Sequence, residues 1–385
     1  MKPLILIFLL VFLMGLPVFS SQGPGQHKDK PHHSEAPVIP AADNPELYMP
    51  ILRDKKIALV VNQTSVLTQK NNLHLVDFLL SEGVKIQKVF VPEHGFRGDA
   101  DAGEVVKNDT DKKTGLPLIS LYGDNKKPSP NSLADIDLVV FDVQDVGLRF
   151  YTYISTLHYL MEACAENGKS LLILDRPNPN GDYIDGPILK KEFSSFVGMH
   201  PIPVVHGLTV GELAQMINGE GWLKNGVKAD IQVIPAENWE HSIAYSLPIK
   251  PSPNLPNDLS IRLYPSLCFF EGTDISVGRG TTFPFQVFGA PNQKFGEFSF
   301  TPKSIQGMSK NPPHENKECF GKDLRQEPLT HTFTLAYLLD MYQKSGKKEA
   351  FFNNFFDKLA GTDQLKKDIL QANLKKKSGI PGNLD

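Results

Sequence analysis

Glu93, His94 and Arg97 stand within five positions of one another, directly after the apolar run Val89-Phe90-Val91 and among the chain-turning residues Pro92, Gly95 and Gly98. The run has the length and composition of a β-strand, and Pro92 ends it. In an open parallel sheet, ligands bind at the carboxyl ends of the strands. A carboxylate placed there beside a titratable imidazole has the makings of a general acid. A glutamate, with a reference pKa of about 4.3, needs desolvation to hold its proton near neutrality. Val91, Pro92 and Phe96 around Glu93 would supply it. The plainer role for Glu93 is to cap its loop by accepting nearby backbone N–H groups.

Further acids stand at later strand ends. Asp142 and Asp145 lie in Phe141-Asp142-Val143-Gln144-Asp145-Val146-Gly147-Leu148-Arg149-Phe150-Tyr151-Thr152, which mixes acids, an amide, an arginine and aromatic rings. Such mixtures suit sugars, whose rings stack on aromatics while acids and amides bond the hydroxyls. An ion pair of either acid with Arg149 is the alternative. Asp175-Arg176-Pro177-Asn178-Pro179 is turn-rich; a local Asp–Arg pair with an Asx-turn competes with ligand contact, for which Asn178 is the better candidate. In Gly278-Arg279-Gly280 the flanking glycines allow close backbone approach and leave a guanidinium able to take a carboxylate in bidentate fashion. Two carboxylates facing one bond, one protonated and one ionised, are the minimum for glycoside hydrolysis.

These groups need a scaffold, and the periodicity supplies one. Apolar strand patterns at 57–61, 84–91, 118–122, 138–143, 170–175 and 231–234 alternate with helical stripes over 73–80, 154–164 and 210–218. Repeated βα units predict a Rossmann-like parallel sheet with helices on both faces, an α/β fold. The Pro-rich segment 247–256 marks a boundary, so the catalytic domain is expected over 46–246 and a smaller auxiliary α+β domain over 247–385, with the site in the cleft between them. With 41% hydrophobic and 22% charged residues and a net charge of −3, the chain is an ordinary globular protein with no electrostatic footprint for nucleic acid. Lys2, the apolar core 4–14 and the small residues after it predict an export signal over 1–20. A disordered leader is expected over 21–45, and the mature protein is expected in the periplasm or secreted, without stable membrane insertion. Cys164 and Cys268 fit buried apolar settings, and a disulfide from either to Cys319 stays open.

Several chemistries lack their signatures. No Gly-x-Gly-x-x-Gly follows the first strand, no phosphate loop occurs, and no Gly-x-Ser-x-Gly elbow is present. Glu93, His94, Asp99, Asp101 and His206 could coordinate a cation, but no His-x-x-x-His or Cys-pair spacing supports a metal.

Taken together, Asn62-Gln63-Thr64, Pro92-Glu93-His94-Gly95-Phe96-Arg97-Gly98, the stretch from Phe141 to Thr152, Asp175-Arg176-Pro177-Asn178-Pro179 and Glu271-Gly272-Thr273 resemble the exo-β-N-acetylmuramidase family, formerly a domain of unknown function. The resemblance runs from about residue 46 to the C-terminus, although the chain stops short of the tryptophan-containing tail it implies. It implies release of N-acetylmuramic acid from the non-reducing end of peptidoglycan fragments, and Glu93 matches the proposed catalytic glutamate. Its counterpart would be Asp142, Asp145 or Glu271, or the acetamido group of the substrate. Asn62, His94, Arg97, Asp145, Arg149, Tyr151, Tyr153, Asn178, His206, Thr273 and Arg279 become substrate-binding candidates, with Arg149 or Arg279 on the lactyl carboxylate. No cofactor is expected. The rivals are a non-catalytic periplasmic binder of cell-wall sugars and a metal-dependent hydrolase.

Overall fold

The computed structural model describes residues 36–96, 108–330 and 332–377. The expected export signal, the leader up to residue 35, and Arg97, Asp99 and Asp101 lie outside the described residues. The remainder of the expected leader folds. Ile39 pairs with Glu237, Ala41 and Ala42 are fully buried, and Asp43 accepts hydrogen bonds from Thr68 and Gln69.

Helix α1 (Pro45–Leu52) leads into strand β1 (Lys56–Val61). A hairpin of β2 (Val66–Leu67) and β3 (Leu73–His74) follows, and it claims the first two residues of the expected helical stripe. Helix α2 (Leu75–Ser81) starts after it, because His74 Nδ1 accepts from the Val76 N–H and caps the helix. The chain continues through β4 (Lys85–Val91), β5 (Asp109–Thr110), β6 (Pro117–Ser120), α3 (Pro130–Leu133), β7 (Leu138–Asp142), α4 (Tyr153–Glu166), β8 (Ser170–Leu174), α5 (Val210–Glu220) and β9 (Ile231–Ile234). These strands form one seven-stranded sheet ordered β5-β6-β4-β1-β7-β8-β9, parallel throughout except for the β5–β6 pair.

The six parallel strands read 3-2-1-4-5-6 in chain order, the doubly wound arrangement. The order reverses at β1, where Val60 pairs with Phe90 on one side and Phe141 on the other. The loops leaving β1 and β7 therefore lead to helices on opposite faces, α2 and α4, and a crevice opens between them at the carboxyl edge. Side chains alternate across the sheet. Ile57, Leu59 and Val61 pack with α2, whereas Ala58, Val60, Phe90 and Phe141 pack with α4.

Helix α6 (Asp258–Leu267) comes next, held by a reciprocal capping box between Asn257 and Ser260. Strands β10 (Val287–Ala290), β11 (Phe298–Phe300) and β12 (Cys319–Asp323) form a small antiparallel sheet, and α7 (Ala336–Ser345), α8 (Phe356–Ala360) and α9 (Gln364–Lys377) complete the described chain. Leu263, Phe269, Phe270 and Met341 join the same buried apolar cluster as the α4 side of the large sheet. The Pro-rich stretch is part of this packing rather than a free linker: Asn254 donates to the Met308 carbonyl, and Pro251 O accepts from Tyr151.

Candidate active site

A pocket of ≈ 440 Å³ opens over the carboxyl ends of β4, β6 and β7. Glu93 and His94 line it from the loop after β4, Tyr122 from the loop after β6, and Phe150, Tyr151 and Thr152 from the loop after β7. The region beyond β9 supplies Ser252, Asn254, Glu271, Arg279, Phe285 and Asn311.

Glu93 is half-buried, and its carboxylate is held by hydroxyls. Thr152 Oγ1 donates to Glu93 Oε2 at 2.7 Å, and Tyr122 also hydrogen-bonds the carboxylate. Thr152 occupies the N-cap position of α4, yet its side chain makes no capping bond to its own helix. A hydroxyl that would ordinarily serve the backbone is turned toward Glu93 instead. Burial, with the Glu93 charge as the second cause, raises the Tyr122 phenol above its ordinary range, so Tyr122 stays a neutral donor. His94, buried next to it, has φ 70, a left-handed backbone rarely adopted outside glycine. Such geometry persists only where the surroundings enforce it, commonly at functional sites.

In the same pocket, Arg279 Nε donates to Glu271 Oε1 at 2.5 Å, and its guanidinium lies 5.1 Å from the centre of the Phe285 ring. Burial works against the charge, but Glu271 outweighs it and holds the guanidinium above its usual pKa. Arg279 is thus a permanent cation with its Nη atoms unbonded to any described residue. Cys268 Sγ, also in the wall, donates to Glu271 Oε2 at 3.7 Å.

Other candidates are corrected by burial. Asp142 is fully enclosed and pairs with Arg176 rather than Arg149, through Nε to Oδ1 at 2.5 Å and Nη2 to Oδ2 at 2.8 Å. Paired on both oxygens beneath the crevice, it has no route to a substrate. Asp145 is buried as well; its Oδ2 accepts from the Gly147 N–H at 2.7 Å, and desolvation pushes its pKa up to about 7. Asn62 is spent on its own turn: Oδ1 accepts from Thr64, while Nδ2 donates to Tyr153 OH at 2.9 Å. Tyr153, buried in turn, reaches the backbone carbonyl of Glu93 at 3.4 Å. Asn62 and Tyr153 therefore buttress the loop after β4 and do not line the pocket.

Arg149 is the largest correction. It is fully buried and donates to four backbone carbonyls: Nη1 to Pro187 and Ile202, Nη2 to Leu359 and Ala360, at 2.5 to 2.9 Å. Burial without a carboxylate partner lowers its pKa to about 10. It ties the loop after β7 to the end of α8, and Leu359 is itself a pocket wall. Gly361, at φ +70, must stay glycine because a Cβ there would sit 2.8 Å from Arg149 Nη2.

Asn178 fills the space beside Gly147, donates to the Leu208 carbonyl, and borders a separate cavity of ≈ 360 Å³. His206 is buried, its pKa pushed down to about 3 by desolvation, and its Nδ1 accepts from the Leu208 N–H. Thr273 Oγ1 donates to Phe270 O and does not face the pocket. Among the described residues no group of three or more His, Cys, Asp or Glu is placed to hold a metal ion. Cys164, Cys268 and Cys319 are all buried free thiols.

Tyr122, Thr152 and Phe196 were not expected in the site. Tyr122 carried a signal, since it follows a parallel strand as Glu93 does; Phe196 comes from a loop with no periodicity to place it.

Comparison with known proteins bears on this geometry. The family model for the N-terminal part of exo-β-N-acetylmuramidase NamZ matches residues 57–259, and that for its C-terminal part matches 262–378. The peptidoglycan β-N-acetylmuramidase NamZ of Bacillus subtilis (strain 168) is 40% identical over 345 residues, covering 84% of this chain and 81% of that protein. A crystal structure of a DUF1343 family protein from Bacteroides fragilis NCTC 9343 superposes with a TM-score of 0.81 at 46% identity, over 89% of this chain and 94% of the other. A second DUF1343 protein of that organism gives a TM-score of 0.76 at 28% identity, over 88% and 93%.

Proposed function

This chain belongs to the exo-β-N-acetylmuramidase NamZ family of glycosidases, and on that premise we propose that it releases N-acetylmuramic acid from the non-reducing end of peptidoglycan fragments, with Glu93 as general acid. The observation that carries the assignment of Glu93 is its place in the pocket, held by Thr152 and Tyr122, with the Glu271–Arg279 pair lining the same pocket.

In this mechanism Glu93 gives its proton to the bridging oxygen as the bond from C1 to that oxygen breaks. The electron pair leaves with the oxygen, and the departing sugar is released as a neutral alcohol. Water adds to C1 and gives up a proton that returns, directly or through solvent, to the Glu93 carboxylate, so the acid is restored and the net change is hydrolysis of one glycosidic bond. Among the described residues Glu271 is the other carboxylate lining the pocket, available to support positive charge at C1. Arg279 receives the lactyl carboxylate through its Nη atoms, a charge-assisted contact suited to a planar fork. Export to the periplasm or beyond fits this role and rests on the N-terminal sequence pattern.

Glu93→Gln tests the assignment with a muramic acid–glucosamine disaccharide. The variant should bind the disaccharide with parental affinity by calorimetry and lose about 10²- to 10⁴-fold in kcat. Near-parental turnover would remove Glu93 from the chemistry.

A further inference from the structure

The pocket has two chemically distinct ends, and they order the two sugars of the substrate. At one end Tyr122 and Phe196 pack with ring centres 6.1 Å apart, and Val197 continues the same wall. Phe196 is backed by Tyr159, stacked at 6.3 Å and 13°, and its backbone carbonyl accepts from Ser155 on α4. These rings form an aromatic wall, with Lys126 Nζ 5.1 Å from the centre of the Phe196 ring but not itself lining the pocket, and Tyr122 also hydrogen-bonds Glu93. At the other end stand Arg279, Glu271 and Phe285. Contacts run from one end to the other through Glu93, Thr152, Tyr151 and Tyr264, the last two with ring centres 6.3 Å apart.

A general acid must lie beside the oxygen joining the two rings. Glu93 stands against the aromatic end, so the ring beyond that oxygen falls on the wall. The muramoyl ring, which carries the anion, falls toward Arg279. A pyranose hides its axial C–H faces well against aromatic side chains, whereas a carboxylate is best matched by the guanidinium fork of Arg279, which lines the pocket.

We propose that Tyr122, Phe196 and Val197 form the subsite for the uncharged sugar that departs with the bridging oxygen, a reading that rests on Glu93 being the acid. In this subsite Phe196 touches the leaving sugar and no atom of the muramoyl ring. Its contribution is therefore felt only when the leaving group is a sugar.

The test compares two substrates: the disaccharide, and the β-glycosyl fluoride of N-acetylmuramic acid. In the fluoride the C1–F bond breaks, the electron pair leaves as fluoride, and neither a proton nor a second sugar is required. Phe196→Ala should lower the ratio of kcat/KM for disaccharide over fluoride about tenfold, as expected for loss of one aromatic contact. Phe196→Tyr, which keeps the ring, should restore that ratio. If the alanine variant fails to fold, Phe196→Leu carries the same comparison. An unchanged ratio, whether both substrates suffer equally or neither does, overturns the subsite. Glu93→Gln, followed by first-turnover fluoride release, separates the premise from the proposal. The variant should lose the disaccharide far more than the fluoride, and equal loss on both would overturn the acid role and the subsite together.

Discussion

Replacing Arg149 by methionine, similar in volume but without charge or donors, is the sharpest test of what holds the pocket together. The arginine makes four hydrogen bonds to buried carbonyls, two of them on the turn that ends α8. At about 1.5 kcal/mol for each bond to a charged group, losing all four costs about 6 kcal/mol. Against that, enclosing the charge is itself unfavourable. A guanidinium lowered from 12.5 to about 10 by burial carries roughly 3 kcal/mol of desolvation, which methionine would not. The net loss is about 3 kcal/mol, equivalent to a fall in Tm of about 4 °C for a folded unit of this size. Calorimetry and urea unfolding at neutral pH measure it directly. Because the side chain lies behind the wall, KM for the disaccharide at 25 °C should stay within about twofold of the parent. A Tm within about 1 °C of the parent would refute the clamp, and a large rise in KM at parental stability would return Arg149 to the substrate.

Arg279→Ala should raise KM for the disaccharide by about 10- to 100-fold, from loss of one charge-assisted carboxylate contact. On an analogue lacking the lactyl carboxylate, parent and variant should be equally poor, and a persisting difference would argue against carboxylate recognition. Thr152→Val keeps the shape of the side chain and removes the donor on Glu93 Oε2; kcat should fall about tenfold with KM and Tm little changed. Asp145 ties stability to pH. Its pKa is 3.8 as the ordinary value and about 7 when folded, so the native state holds a proton that the unfolded chain releases across that window. Stability is fully present below about 4 and declines as pH rises to 7. Asp145→Asn, uncharged at every pH, should therefore melt above the parent at pH 8 and alongside it at pH 4. With three buried free thiols, adding a reductant should leave the Tm unchanged, and a drop would reveal a disulfide.

The strands and helices of the large sheet were legible because burial on a strand or one helix face leaves a local period. The patterns at 57–61, 138–143 and 170–175 became β1, β7 and β8 nearly residue for residue. The strand pattern also set Glu93 just past the carboxyl end of β4, where it lines the pocket, but the same pattern did not distinguish it from Asp142, which ends β7 and is enclosed. Which partner each polar residue takes was not legible. Asp142 and Arg149 are seven positions apart and invite pairing, but strand order sets Asp142 beside Arg176 and carries Arg149 to carbonyls more than two hundred residues away. Tyr122 and Phe196 reach Glu93's neighbourhood by the same long-range packing. Local pattern records whether a side chain is buried, because burial depends on the face it occupies. Its partner depends on which distant segments the fold stacks against that face, and only the assembled chain decides that.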